Sequence, residues 1–241
     1  MKFSYNWLKE LARFKDAPQA LAEFLTLRAF EVASLAKIDG DCSLDINLLP
    51  NRVADASGHI GMAREIAACK DLKIEIPRLK FVESNLKRTA DMLKVKIASE
   101  DCARYMARVI TGIEVRQSPD WLQKRLAVCG LQPINNLVDA ANLVMLETGQ
   151  PLHVFDYEKL QGNKIVIRRA KKGEKILALD EKTYALNPEV LVIADAKSPI
   201  AIAGVKGGKK SGVSAHTKTI VLESANLDPT RIRIGARMLN L

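Results

Sequence analysis

Aromatic side chains make up only 5% of this 241-residue chain. No aromatic-rich motif of the kind that stacks single-stranded bases is present, so any RNA contact is expected at phosphates and through shape. Cysteine is as sparse: Cys42, Cys69, Cys102 and Cys129 lie 27, 33 and 27 residues apart. Without a C-x-x-C pair nothing supports a zinc ribbon or a thiol redox motif, and small buried thiols are expected. Long apolar runs are missing too. The stretch 199–205 is far too short to span a membrane as a helix. MKFSYNWLKEL puts charges where a signal peptide needs an apolar stretch, so a cytoplasmic protein with no membrane partner is expected. There is no P-loop, no H-E-x-x-H and no G-x-S-x-G, and no metal site is expected.

What is abundant is positive charge. The formal net charge is +9, and residues 164–182 hold seven Lys or Arg against three Asp or Glu. Such a balance favours a polyanionic partner, most commonly nucleic acid, although a merely soluble basic protein carries it equally well. With 48% hydrophobic residues the chain can bury a core as one large or two small domains.

Local patterns divide the chain. Ser4 is placed to cap a first helix that turns Trp7, Leu8 and Leu11 inward. Asp16 is placed to cap a second, with Pro18 in its first turn. LDINLLPN alternates as a strand. Asp55 or Ser57 then opens a helix, with His59 expected near its start as a surface or capping residue. A charged, weakly periodic, glycine-free stretch follows, read as a connector with a domain boundary in it. From about residue 97 the rhythm becomes strand-rich. RYMARVITGIEV reads as a strand, Ser118-Pro119-Asp120 starts a helix, and Gly130 stops it. A second helix carries Asn135, Asp139 and Asn142, spaced to line up on one face. KIVIRRA, KILALD, VLVIAD, IAIAGV and TIVLES read as strands, which predicts an α+β fold with a mainly antiparallel sheet and the two helices packed on it.

Three features can carry chemistry. His153 follows the break at Gly149 and Pro151, where the chain can turn back over the face bearing Asn142; a hydrogen-bonded core or edge histidine fits the spacing as well. Glu223 ends an alternating strand, either on a wet face or aimed into a cavity. GVKGGKKSG, residues 204–212, is a glycine-rich turn that can approach a phosphate or serve as a hairpin connection with its lysines in solvent.

SYNWLKEL, LPNRVADASGHIGMAREIAA, CARYMARVITGIEV, PDWLQKRLAVCGLQPINNLVDAANLVMLETGQPLHVFDYEKL and IAIAGVKGGKKSGV with TIVLESANLDPTRIR occur in that order. Together they resemble the N-terminal part of the bacterial-type phenylalanyl-tRNA synthetase β subunit over nearly the whole chain. The resemblance implies a small helix-rich N-terminal domain over 1–74, a connector over 75–96 and an editing domain over 97–241. Such a domain hydrolyses tyrosine wrongly esterified to phenylalanine tRNA. By the same resemblance Asn142 and His153 are the catalytic positions, holding the aminoacyl ester and placing water. Gly204 leaves room for the aromatic ring, and Glu223 receives the tyrosine hydroxyl. The implied partners are tRNA(Phe) and the synthetase α subunit in an α2β2 heterotetramer, with no DNA. No cofactor is expected in this portion; the full ligase would use ATP and Mg2+ elsewhere.

The chain departs from that family in four ways. An oligonucleotide-binding domain that many members insert near the N-terminus is absent from this sequence. Ala141 stands where threonine is usual, and Lys206 where an apolar residue is usual. The family sequence also continues past Leu241 with residues that help close the pocket, so the chain is expected to be a truncated portion. Two other readings stay open: a docking and assembly module that has lost hydrolysis, and a free-standing domain that edits in trans.

Overall fold

A computed structural model describes residues 1–81 and 87–241. In chain order it begins with β1 (Lys2–Ser4) and α1 (Tyr5–Ala12). Ser4 joins them as expected: its Oγ accepts from the Trp7 N–H at 3.0 Å, supplying a helix donor that has no partner inside the helix. α2 (Pro18–Arg28) begins with Pro18 in its first turn. Asp16 does not cap it; its carboxylate pairs with Lys70 at 2.9 Å instead. β2 (Val32–Ile38) and β3 (Asp41–Ile46) form an antiparallel hairpin. Their connection is Asp39-Gly40, both at positive φ, the pair that a tight hairpin turn favours. α3 (Val53–Ala56) and α4 (His59–Lys70) follow; the residue at the N-cap of α4 is Gly58, which has no side chain to accept, while Asp55 lies inside α3 and pairs with Arg52 at 2.7 Å.

The stretch read as a connector over 75–96 contains α5 (Thr89–Met92) and most of β4 (Lys94–Ile97), and β5 (Cys102–Thr111) follows. Two helices come next, α6 (Asp120–Val128) and α7 (Asn136–Thr148). Gly130 follows α6 at φ +80°, where it ends the helix at no steric cost. The rest is mostly strand: β6 (Leu152–Asp156), β7 (Lys164–Arg169), β8 (Lys175–Leu177), β9 (Thr183–Ala185), β10 (Leu191–Ala194), β11 (Pro199–Ile202), β12 (Lys206–Gly207) and β13 (Thr219–Leu227). α8 (Pro229–Met238) closes the chain, capped by the Asp228 side chain.

These elements form two compact units, one of Met1–Val82 with Gln117–Pro151, the other of Glu83–Arg116 with Leu152–Leu241. The first unit holds a three-stranded sheet in the order β1-β3-β2. Its core gathers Phe3, Trp7, Leu8, Phe14, Leu21, Leu44, Met62 and Ile66. Leu122 and Leu126 of α6 and Leu146 of α7 belong to the same core. The two helices expected on the strand-rich part thus spend apolar residues on the N-terminal helices, where a fully buried leucine contributes about 1.5–3 kcal/mol.

His59 is the other departure. It is not at the surface but fully buried, stacked on Trp7 with ring centroids 4.0 Å apart. The close approach of chain around it requires glycine. A Cβ on Gly58 would lie 2.5 Å from the Gly149 nitrogen, and one on Gly61 would lie 1.9 Å from the Asp55 carbonyl oxygen.

The second unit contains a five-stranded sheet, β12-β11-β10-β7-β4, and a three-stranded sheet, β5-β13-β6. Every pairing is antiparallel except that of β4 with β7. Its main core joins Ile165, Ile167, Leu191, Ile193 and Ala201 of the larger sheet to Tyr105, Phe155 and Val221 of the smaller. The α+β class and the mainly antiparallel strands expected from the sequence are those observed.

Candidate active site

β13 places the first site residue. Side chains alternate between the faces of a strand, so Val221, Glu223 and Ala225 share one face. Val221 is wholly buried in the core, and Glu223 follows it inward with only 6% of its surface exposed. The register adds neighbours on both sides: Glu223 lies opposite Ala107 of β5 and opposite His153 of β6. Tyr105, opposite Ala225, stands on the same face one diagonal step away. The structure therefore brings Glu223 and His153 together on adjacent strands and adds Tyr105, which sequence reasoning did not single out. The signal was present, since Tyr105 and Ala107 alternate within a strand whose other face is more exposed.

The electrostatics follow from burial. Loss of water pushes the Glu223 carboxyl up to about 7, against a smaller lowering by the Tyr105 hydroxyl. Burial, together with the charge of Glu223, raises Tyr105 well above the usual tyrosine range. The two groups thus act on each other, yet neither Tyr105 Oη nor Glu223 Oε2 has a hydrogen-bond partner. His153 is lowered to about 4, again by burial. Near neutral pH its imidazole is uncharged.

His153 is held from two sides. Its ring meets Phe155 edge-on, with centroids 4.5 Å apart. On another side is the backbone of Gly207, where an added Cβ would fall 2.6 Å from His153 Cε1. Gly207 also pairs with Ala201 of β11, and its carbonyl accepts from the Leu179 N–H at 3.0 Å. The glycine-rich turn is thus partly a strand laid against the imidazole. Its lysines are not simply in solvent: Lys206 pairs with Asp180 at 2.7 Å, and Lys209 pairs with Glu181 at 2.7 Å.

Gly204 has φ +67°, and the nearest atoms to an added Cβ all belong to Ile232 of α8, at 3.1 Å and beyond. Ala141, buried, and Asn142, half-buried, are carried by α7 in the first unit. The polar face of α7 is not a uniform stripe. Asn135 caps the helix, accepting from the Leu137 and Val138 N–H groups. Asp139 is fully buried and accepts from Ser118 Oγ at 2.5 Å and from the Ile134 N–H at 2.9 Å. Ser118, expected to cap α6, is spent on that bond. Two of the three polar positions therefore shape the chain around α7.

Chemically, the group in the second unit offers a carboxylate poised between its two protonation states, a phenol and a neutral imidazole on one largely apolar face. No cluster of three or more His, Cys, Asp or Glu that could hold a metal occurs among the described residues. No helix among them is long and apolar enough to cross a membrane.

The phenylalanine--tRNA ligase beta subunit of Rhodopirellula baltica is 40% identical over 241 residues, 100% of this chain and 35% of its own length. That of Anaeromyxobacter dehalogenans is 46% identical over 198 residues, 82% of this chain and 24% of its own. That of Moorella thermoacetica is 46% identical over 202 residues, 83% and 25% respectively. The chain thus spans about a third or less of the curated relatives it matches. Among solved structures it resembles an N-terminal fragment of the phenylalanyl-tRNA synthetase beta subunit from Pyrococcus horikoshii. The TM-score is 0.50 at 13% identity, covering 100% of this chain and 72% of that one, a likeness of fold alone. The model of the B3/4 domain matches residues 101–241, more than half of the sequence, and the chain belongs to the B3/4 domain family.

Proposed function

We propose that this chain is a portion of a phenylalanine--tRNA ligase β subunit, and that its B3/4 domain hydrolyses tyrosine mischarged onto tRNA(Phe). The observation that carries the reading is Glu223: a carboxylate buried on a core-facing strand beside a neutral histidine, with one oxygen unpaired. Phenylalanine and tyrosine differ by one hydroxyl. An apolar synthetic pocket that admits the first cannot strongly reject the second, whereas a site with a buried acceptor can choose it, because phenylalanine leaves that acceptor unpaired.

The chemistry asks little of the protein. Water adds to the ester carbonyl, the bond from that carbon to the ribose oxygen breaks, and the ribose oxygen takes up a proton. An ester needs a placed water more than a strong base, and neutral His153 can accept a hydrogen bond from one. Asn142 is proposed from the family resemblance to hold the ester. The proposed partners are tRNA(Phe), met chiefly at phosphates, and the synthetase α subunit.

The test is the ratio of hydrolysis rates on Tyr-tRNA and Phe-tRNA. A hydrogen bond to a charged acceptor contributes about 1.5–3 kcal/mol, so Glu223→Ala should slow the tyrosyl ester roughly ten- to a hundredfold while the phenylalanyl ester holds steady or rises. His153→Ala should slow both together, since placing water does not sense the para position. An unchanged ratio in Glu223→Ala would remove the basis of the assignment.

A further inference from the structure

Three buried side-chain oxygens among the described residues lack a hydrogen-bond partner: Ser43 Oγ in the first unit, and Tyr105 Oη with Glu223 Oε2 in the second. Leaving one such group unpaired costs stability, and native proteins keep few. Two of them within one diagonal step on one sheet face call for a common cause.

Tyr105 is the less obvious member. It is 8% exposed and its ring belongs to the apolar core with Phe155 and Val221. Phenylalanine would fill the same volume without stranding a hydroxyl. The Tyr105 hydroxyl lies close enough to Glu223 for each to shift the other's ionisation, in a geometry that leaves Tyr105 Oη and Glu223 Oε2 without a well-formed hydrogen bond. A phenol and a carboxylate held in that relation suit a third oxygen that can both accept and donate. A hydroxyl is such a group; a hydrogen or a methyl in its place satisfies neither.

We infer that Tyr105 is a specificity-determining residue, the second half of a two-point hydroxyl reader: its Oη donates to the oxygen of an incoming phenol, while that phenol donates to Glu223 Oε2. The inference rests on the reading of this site as one that accepts a tyrosyl ester. It adds a geometric demand, because the ligand hydroxyl must reach both groups at once. The pair then discriminates by direction as well as by polarity.

The experiment measures binding of two non-hydrolysable analogues, the 3′-amide-linked tyrosyl and phenylalanyl adenosines, to the 241-residue chain by calorimetry. The wild type should prefer the tyrosyl analogue. Tyr105→Phe removes one neutral hydrogen bond and should reduce that preference roughly two- to tenfold, with phenylalanyl affinity unchanged. Glu223→Gln should reduce it as well, and the double variant should abolish it. Tyr105→Phe should melt no lower than wild type, since it deletes an unpaired buried hydroxyl. Loss of affinity for both analogues in equal measure would make Tyr105 a packing residue and overturn the inference. If Glu223→Gln erased the preference while Tyr105→Phe kept it, Tyr105 would be excluded and the reading of the site would stand. A wild type without preference would overturn both.

Discussion

His59 Nδ1 donates to the Leu146 carbonyl oxygen at 2.7 Å, joining residues 87 positions apart. A carbonyl can only accept, so the proton is on Nδ1. The Ser4 N–H, which can only donate, reaches Nε2 at 3.0 Å. Both ring nitrogens are thus used by the neutral imidazole, and a second proton would cost the bond to Ser4. Replacing His59 with alanine removes both bonds and leaves a cavity under Trp7. The expected loss is about 3 kcal/mol or more, read as a lower urea midpoint for the first unit. Unchanged melting would mean that the histidine is a passenger in that core.

The same residue sets an acid limit. Burial lowers His59 to about 3, against an ordinary value near 6.5. Between those values the unfolded chain binds a proton that the folded chain does not, so stability falls as pH drops through that window, by at most about 1.4 kcal/mol per unit. His59→Gln should flatten this slope even where it lowers stability overall. Denaturation curves at pH 4, 5, 6 and 7 distinguish the two effects.

Glu223 has the opposite sign. Its folded value is raised to about 7 from an ordinary 4.5, so the folded state holds the extra proton, and stability falls as pH rises through that interval. Glu223→Gln should remove this decline. The consequence for selection runs the other way, since a carboxylate is a better acceptor than a carboxylic acid. Preference for tyrosyl over phenylalanyl ester should grow between pH 6 and 8 in the wild type and stay flat in Glu223→Gln.

Gly207 tests the wall behind His153. Its added Cβ would stand 2.6 Å from Cε1 and 3.0 Å from Nε2 of the imidazole, so Gly207→Ala must displace the ring or the strand. Hydrolysis of both esters should drop together, by roughly tenfold or more, because a misplaced water-positioning group is not substrate-selective. A changed tyrosyl-to-phenylalanyl ratio would indicate that Gly207 shapes the aromatic subsite instead.

The net charge of +9 gives a further outcome. The chain should bind tRNA weakly, with affinity falling steeply from low to physiological salt and little choice among tRNAs. Binding indifferent to salt would count against phosphate contacts.

Much of the fold was legible locally. Ser4 and Gly130 act as cap and stop because their effects reach only a few residues. β7, β10, β11 and β13 announce themselves by β-branched runs between turn residues. Asp39-Gly40 is an equally local hairpin signal, one that sequence reasoning did not use. Period-two alternation also places Val221, Glu223 and Ala225 on one face of β13. What alternation cannot state is which face meets a second sheet, so whether Glu223 stands in water or in a core was decided by tertiary packing. The same holds for Ser118, read at the start of α6, and for Asp139, read on the polar face of α7: both are spent on a bond to each other across 21 positions in sequence. It holds for His59, whose partners Ser4 and Leu146 are 55 and 87 residues distant. Helix and strand type follow from steric and hydrogen-bonding preferences within a few residues. Burial, and with it the ionisation of Glu223, His153 and His59, depends on which distant surfaces exclude water, and only the folded chain brings those surfaces together.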